Sequence, residues 1–423
     1  MKITILTAGT GSYYCGACMR DNTLARELLA MGHEAQLVPM YLPLQLDEER
    51  ADESTPVFFG GINVYLQQKF RLFRRLPRWM DQFLNGRGLL QMVAKRSHLT
   101  SANEQGEMAC SMLRLEESNL GKEVDKLVDW LKQDGKPDVI VLSNALLAGL
   151  IRELKGRLRV PIICTFQGED SFLDSLPKPW CNMAWEELAI RAQDADVLVA
   201  PSQFYGRLME ERLRLKSGSI QVIPNGIDLS GWKESGGGEV KRIGYLARMC
   251  HSKGLGLLVD AFIHLNDSSL TLAIAGTMGG GDDVYVAGLK KKLDKTGLGG
   301  CVEWFPDLGR QEKVEFLGNL SVFSVPVIYP EAFGLYLVEA MACSVPVVMP
   351  NASAFPEIVN SAACGVLVAP GSAEDLARGL KEMLDDPERE VVGKKGRRAV
   401  EERYHVGAMA LNFERIFGRV VPK

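Results

Sequence analysis

Histidine is scarce and basic charge is not in excess. The 423 residues include five His, and 49 Lys and Arg stand against 53 Asp and Glu, for a formal net charge of -4. That balance argues against a nucleic-acid binder, whose footprint would be basic overall. No apolar run reaches the ~20 residues needed to span a bilayer. The opening Met1-Lys-Ile-Thr-Ile-Leu-Thr7 is too short for a secretory apolar region and reads as a first strand. Cysteine occurs nine times, an odd number scattered along the chain, which fits reduced thiols and a cytoplasmic protein. Cys15-x-x-Cys18 has no second Cys-x-x-Cys or Cys-x-x-His to complete a zinc site, so two small cleft-lining thiols are favoured over a metal or redox pair. A convincing Asp-x-Asp for a divalent ion is also missing.

What is present fits a large α/β enzyme. The hydrophobic share of 46% and charged share of 24% are ordinary for globular proteins, and the length exceeds what one core usually holds, so two domains are expected. Ile3 to Ala8, a glycine-bearing loop from Gly9 to Cys18, a helix from Asn22 to Met31 and a strand from Ala35 to Tyr41 make a βαβ unit. Further strands are predicted at Val139 to Leu142, Val160 to Phe166 and Val197 to Ala200. A second series is predicted to begin near Ile220, with Pro224-Asn-Gly-Ile-Asp228 as a turn and Gly236-Gly-Gly238 as a flexible stretch. Its strands are expected at Arg242 to Leu246, Leu270 to Ala275, Cys301 to Phe305, Val322 to Ile328, Val345 to Met349 and Gly365 to Val368.

The most informative stretch runs from Val325 to Pro350. A β-branched strand breaks into Glu331-Ala-Phe-Gly334 and continues as a helix carrying Glu339. In open α/β sheets ligands bind beyond the carboxyl ends of the strands, and a helix starting there offers unpaired N–H groups to an anion. A phosphate therefore fits, with two carboxylates left to hold hydroxyls. The segment Glu331-Ala-Phe-Gly-Leu-Tyr-Leu-Val-Glu339-Ala-Met-Ala closely resembles the E-x7-E signature of retaining glycosyltransferases of family 4. Ser344 departs from it, standing where the family usually has Gly at the helix end.

Gly244-Tyr-Leu-Ala-Arg248-Met-Cys-His-Ser-Lys253-Gly254 is a second constellation, with an arginine and a lysine on the loop after a strand. Fixed cations aimed at a leaving diphosphate lower the barrier electrostatically, and Arg forks across two oxygens where Lys acts as a point charge. The segment resembles the same family's Gly-Arg-Leu-x-x-x-Lys-Gly, with Ala247 where Gly is usual.

The resemblance implies a GT-B fold: two doubly wound Rossmann-like domains facing a cleft. Residues 1–218 would be the acceptor-side domain with an insertion at about 42–115, residues 219–404 the donor domain, and 405–423 a helix returning to the first domain. It implies that Arg248 and Lys253 meet the donor diphosphate, that Glu339 accepts hydrogen bonds from the ribose hydroxyls, and that Glu331 meets the transferred sugar and the charge developing near its anomeric carbon. Phe333, Gly334 and Leu335 would offer backbone N–H groups, with Asn225 shaping the cleft floor. The leaving phosphate would itself take the acceptor's proton, a front-face substitution needing no protein nucleophile, no cofactor and no metal.

In the first domain Gly9, Gly11 and Gly16 would let backbone approach the phosphates or the acceptor. The loop fails the Gly-x-Gly-x-x-Gly spacing because Tyr14 takes the third position, so a dinucleotide is disfavoured. Gln167 stands where the family often has a histidine near the sugar, and Glu169 and Asp170 either serve that side or open the next segment. Residues 67–96 interleave Lys69, Arg71, Arg74, Arg75 and Arg78 with Phe70, Phe73 and Trp79. They read either as a helical insertion with solvated charges or as a surface for the inner face of an anionic membrane and a lipid-linked acceptor. The region Tyr41 to Val64 resembles the insertions of glycogen-synthase-like members, which keeps a glucan acceptor open. Beside a retaining transferase acting from a UDP-, GDP- or ADP-linked sugar stand a GT-B nucleotide-sugar epimerase and a non-catalytic nucleotide-sugar binder, with a dehydrogenase behind them.

Overall fold

Among the described residues, two sheets, each of six strands in parallel pairing, order the chain. The structure, a computed structural model, describes residues 1–9, 16–42, 44, 46, 49–51, 57–58, 102–115, 120–234 and 241–422. Gly11, Cys15, residues 67–96 and Gly236-Gly-Gly238 lie outside the described residues, as does most of the expected insertion. One unit comprises Met1–Ile223 and Met409–Lys423, the other Pro224–Ala408.

In the first unit the sequence alternates β1 (Lys2–Thr7), α1 (Gly16–Ala30), β2 (Glu34–Pro39), α2 (Ala102–Leu113), α3 (Gly121–Trp130), β3 (Val139–Leu142), α4 (Leu150–Leu158), β4 (Ile162–Thr165), α5 (Glu169–Ser175), α6 (Trp180–Ala192), β5 (Val197–Ala200), α7 (Gln203–Arg212) and β6 (Ile220–Val222). The order across the sheet is β2-β1-β3-β4-β5-β6. Runs such as Val139-Ile-Val-Leu142 are buried along their whole length because helices cover both faces of a parallel sheet. Helix α7 starts where Ser202 Oγ accepts the Tyr205 amide at 3.0 Å.

In the second unit β7 (Arg242–Leu246), α8 (Leu255–Leu265), β8 (Thr271–Gly276), α9 (Asp282–Lys295), β9 (Val302–Pro306), α10 (Arg310–Gly318), β10 (Val322–Phe323), α11 (Leu335–Ala342), β11 (Val347–Pro350), α12 (Phe355–Ala362), β12 (Gly365–Val368), α13 (Ala373–Asp385) and α14 (Arg389–Ala399) follow in turn. The sheet order is β12-β11-β10-β7-β8-β9. The chain ends in α15 (Val406–Val420), whose residues from Met409 on belong to the first unit. There Phe413 lies under the Arg20 guanidinium at 5.9 Å, and Glu414 meets His33 at 3.2 Å.

Two expectations need correcting. Ile220–Val222 does not open the second series; it pairs with β5, Ala200 opposite Val222, as the edge of the first sheet. The division accordingly falls after Ile223, and not after residue 218. The strand expected over Val322 to Ile328 ends at Phe323. Pro326 has no N–H to donate, and the Val327 amide turns back to Val325 O at 2.9 Å.

Candidate active site

The second sheet changes winding direction between β7 and β10, its middle pair, and a crevice for ligands opens beyond the carboxyl ends of strands at such a point. The two loops that leave these strands carry the cationic and the acidic motif. They are joined by backbone: the Ile328 amide donates to Ser252 O at 3.0 Å. Gly254, at φ +74, makes the approach possible, since a Cβ there would lie 1.8 Å from Pro326 O. Lys253 is thereby set beside Glu331 across 78 positions of sequence.

Lys253 Nζ donates to Glu331 Oε2 at 2.5 Å and also to the Tyr329 hydroxyl. The hydroxyls of Tyr329 and Tyr336 each donate to the same oxygen at 2.8 Å. Three donors thus converge on Oε2, and none of them engages Oε1. Burial pushes the Glu331 carboxyl up, but the Lys253 ammonium and the two phenols outweigh it and hold the group below the usual carboxylate range. Burial and the Glu331 charge together raise Tyr336 well above an ordinary phenol. The Glu331 amide donates to Ser353 Oγ at 3.0 Å, tying the motif to the loop after β11.

Gly334 stands at φ +85 immediately before α11, where a Cβ would meet Phe355 at 2.9 Å. Phe333 is buried edge-on to Tyr404 at 6.0 Å, and Leu335 is half-buried as the first residue of the helix. Glu339 follows in the second turn, its side chain 11% exposed, and accepts from Lys313 Nζ at 2.7 Å. Arg248 is tied elsewhere: its Nε donates to Asp282 Oδ2 at 2.7 Å, and Asp282 also accepts the Gly279 amide at 2.7 Å. Its side chain stays 52% exposed.

Asn225 is buried, and the adjoining Gly226 lets the backbone run against His405, with Ile227 bridged to His405 in parallel. In the first unit Gly16 is exposed at the start of α1, and Gln167 is half-buried with its amide donating to Glu169 Oε2 at 2.8 Å. Asp170 and Glu169 are not open carboxylates. Both are buried; Tyr205 donates to Asp170 at 2.7 Å, and Glu169 accepts the amides of Ala145, Gln167 and Gly168. They fix the start of α5, and burial raises both. Cys18 is likewise buried, its sulfur taking the Thr7 hydroxyl at 3.7 Å.

Sequence reasoning passed over Tyr329, Tyr336, Lys313 and Asp282. The tyrosines flank Glu331 at offsets that a local pattern search could have picked up. Lys313 and Asp282 carry no motif and reach their partners through the sheet.

Residues 232–399 match the family described as glycosyl transferases group 1, and residues 112–230 match glycosyltransferase family 4. A D-inositol 3-phosphate glycosyltransferase of Nocardiopsis dassonvillei is 28% identical over 227 residues, 50% of this chain and 52% of that protein. The chain thus aligns with about half the length of the curated relatives it matches. Among solved structures, sucrose-phosphate synthase from Thermosynechococcus elongatus superposes with a TM-score of 0.73 at 17% identity, covering 99% of this chain and 98% of that one. HepE of Anabaena, in complex with UDP, has a TM-score of 0.69 at 18% identity, covering 99% of this chain and all of that one. These likenesses establish the GT-B fold.

Proposed function

Because the chain belongs to the group 1 glycosyltransferases of family 4, we propose that it moves a sugar from a nucleoside-diphosphate sugar to a hydroxyl acceptor, retaining the anomeric configuration without a metal. The observation that carries this reading is the pair Glu331 and Glu339 on either side of Gly334, each held by a lysine, at the winding reversal of the second sheet.

Glu339 suits the ribose hydroxyls, and Oε1 of Glu331 suits a hydroxyl of the transferred sugar. The start of α11, with Phe333, Gly334 and Leu335, suits phosphate oxygens. An ammonium has three protons; Lys253 gives two to Tyr329 and Glu331, and the third would stabilise the leaving diphosphate together with Arg248. Gly11 and Asn225 are assigned to the donor side, and Gly16 and Gln167 to the acceptor or sugar side.

Glu331, pinned by three donors, is poorly suited to act as a nucleophile, which favours front-face departure with the phosphate taking the acceptor's proton. Among the relatives, several are named for inositol 3-phosphate, and HepE has been solved with UDP-glucose. A UDP-linked hexose and a small phosphorylated acceptor therefore head the candidates, followed by a glycan and a lipid-linked saccharide.

The test is thermal stability against UDP, GDP, ADP, TDP, CDP and NAD, followed by product analysis. A ligand at ~100 times its dissociation constant adds ~2.7 kcal/mol to the folded state, so one diphosphate should raise the melting temperature clearly. A shift with NAD alone would overturn the donor assignment. An inverted anomeric product would overturn retention.

A further inference from the structure

We propose that Lys313 is a positioning residue for the donor's ribose, compensating the charge of Glu339 and aiming its carboxylate so that Oε2 is the oxygen presented to the hydroxyls. The inference rests on the ribose reading of Glu339 given above.

Lys313 occupies an inward position of α10, beside Phe316 and Leu317, through which the helix packs on the core. Only 7% of Lys313 is exposed, and its Nζ meets Glu339 Oε1 at 2.7 Å. The ammonium also lies 5.7 Å from the centre of the Trp232 ring, and that indole is fixed by donating to Asp228 O at 2.8 Å. A leucine or methionine would serve the packing of α10 at least as well. A buried ion pair brings little net stability over an apolar pair of the same size, so stability does not account for a lysine here.

Glu339 does account for it. Only 8% of Glu339 is exposed, so its carboxylate is largely withdrawn from water. A carboxylate in such surroundings needs a compensating cation, and a charged acceptor holds a hydroxyl more strongly than a neutral one. The ion pair engages Oε1 alone. The second oxygen is thereby held in a fixed direction before the nucleotide arrives, which lowers the ordering cost of binding.

The experiment measures dissociation constants by calorimetry for whichever of UDP, GDP and ADP binds most tightly, and for its 2′-deoxy form. Wild type should prefer the ribonucleotide. Lys313→Met should raise its dissociation constant by ~10-fold or more and narrow the gap to the deoxy form, raising the donor KM more than it lowers kcat. Lys313→Arg should restore the discrimination. In a Glu339→Gln background, Lys313→Met should add no further loss. Melting curves without nucleotide identify folded variants; should Lys313→Met be unfolded, Lys313→Gln, which keeps a donor without the charge, is read in the same way. A folded, uncharged variant that retains full ribose discrimination overturns the proposal. If Glu339→Gln itself retains it, the ribose reading fails and the proposal with it. If Glu339→Gln abolishes it and the Lys313 variants do not, only the proposal fails.

Discussion

At Glu331 the balance of forces can be argued from single atoms. Burial alone would favour the neutral acid, yet Lys253, Tyr329 and Tyr336 all donate to Oε2 and depress the group below its ordinary 4.5. A carboxyl with a depressed folded pKa adds stability above its unfolded pKa and loses it as pH falls through the folded value. Wild type should therefore exceed Glu331→Gln in unfolding free energy at neutral pH, and the difference should shrink below about pH 4.5. Denaturant titrations of both proteins across pH check this; a pH-independent difference would mean that the Lys253 contact contributes no charge coupling. Catalysis gives a second test at the same atoms. Lys253→Ala should lower turnover by ~100-fold or more if the ammonium stabilises the leaving diphosphate, and a rate near wild type removes it from that role. Glu331 and Glu339 were legible because they lie in one short stretch of unusual residues. Lys313 was not, because its 26-residue separation from Glu339 is closed only by the packing of α10 on the sheet.

Elements were legible where side-chain pattern alone decides them, and less so where a proline or a left-handed residue does. The strands Val139–Leu142, Val197–Ala200, Arg242–Leu246 and Gly365–Val368 coincide with their apolar runs. The run after Phe323 is also largely apolar, but the Val327 amide turns back to Val325 O and the Ile328 amide serves Ser252 O in the loop of Lys253, and no periodicity announces that. The end of α11 shows the opposite case, where one unusual residue is visible in sequence and the structure says what it does. Ser344, in place of the family's glycine, adopts φ +58, is buried, and leaves its hydroxyl without a partner. A left-handed non-glycine residue costs roughly 1–2 kcal/mol, partly offset by the extra chain entropy that glycine loses on folding. Ser344→Gly should raise stability by about 0.5–1 kcal/mol, read as a higher denaturation midpoint with activity unchanged. An unchanged or lower midpoint would show that the strain at this turn is relieved by its surroundings.

Across the whole molecule, the two sheets share a construction but not a strand order. The first reverses its winding between β1 and β3, the second between β7 and β10. Alternating strands and helices implied parallel sheets, and the family resemblance implied that both are doubly wound, whereas the assignment of Ile220–Val222 to the first sheet was not legible, because an edge strand of three residues carries no pattern that names its partner. The second reversal gathers the motifs at 248–254 and 329–339 on loops 78 residues apart in the chain, so a donor bound there should be felt by both together. Hydrogen exchange with and without the nucleoside diphosphate that raises the melting temperature should show its strongest added protection in these two segments. That protection, and turnover, should persist in excess chelator if Lys253 and Arg248 supply the fixed positive charge for the leaving diphosphate. Activity restored only by magnesium or manganese would overturn the metal-free mechanism while leaving the donor site in place; protection centred outside both segments would move the donor site itself.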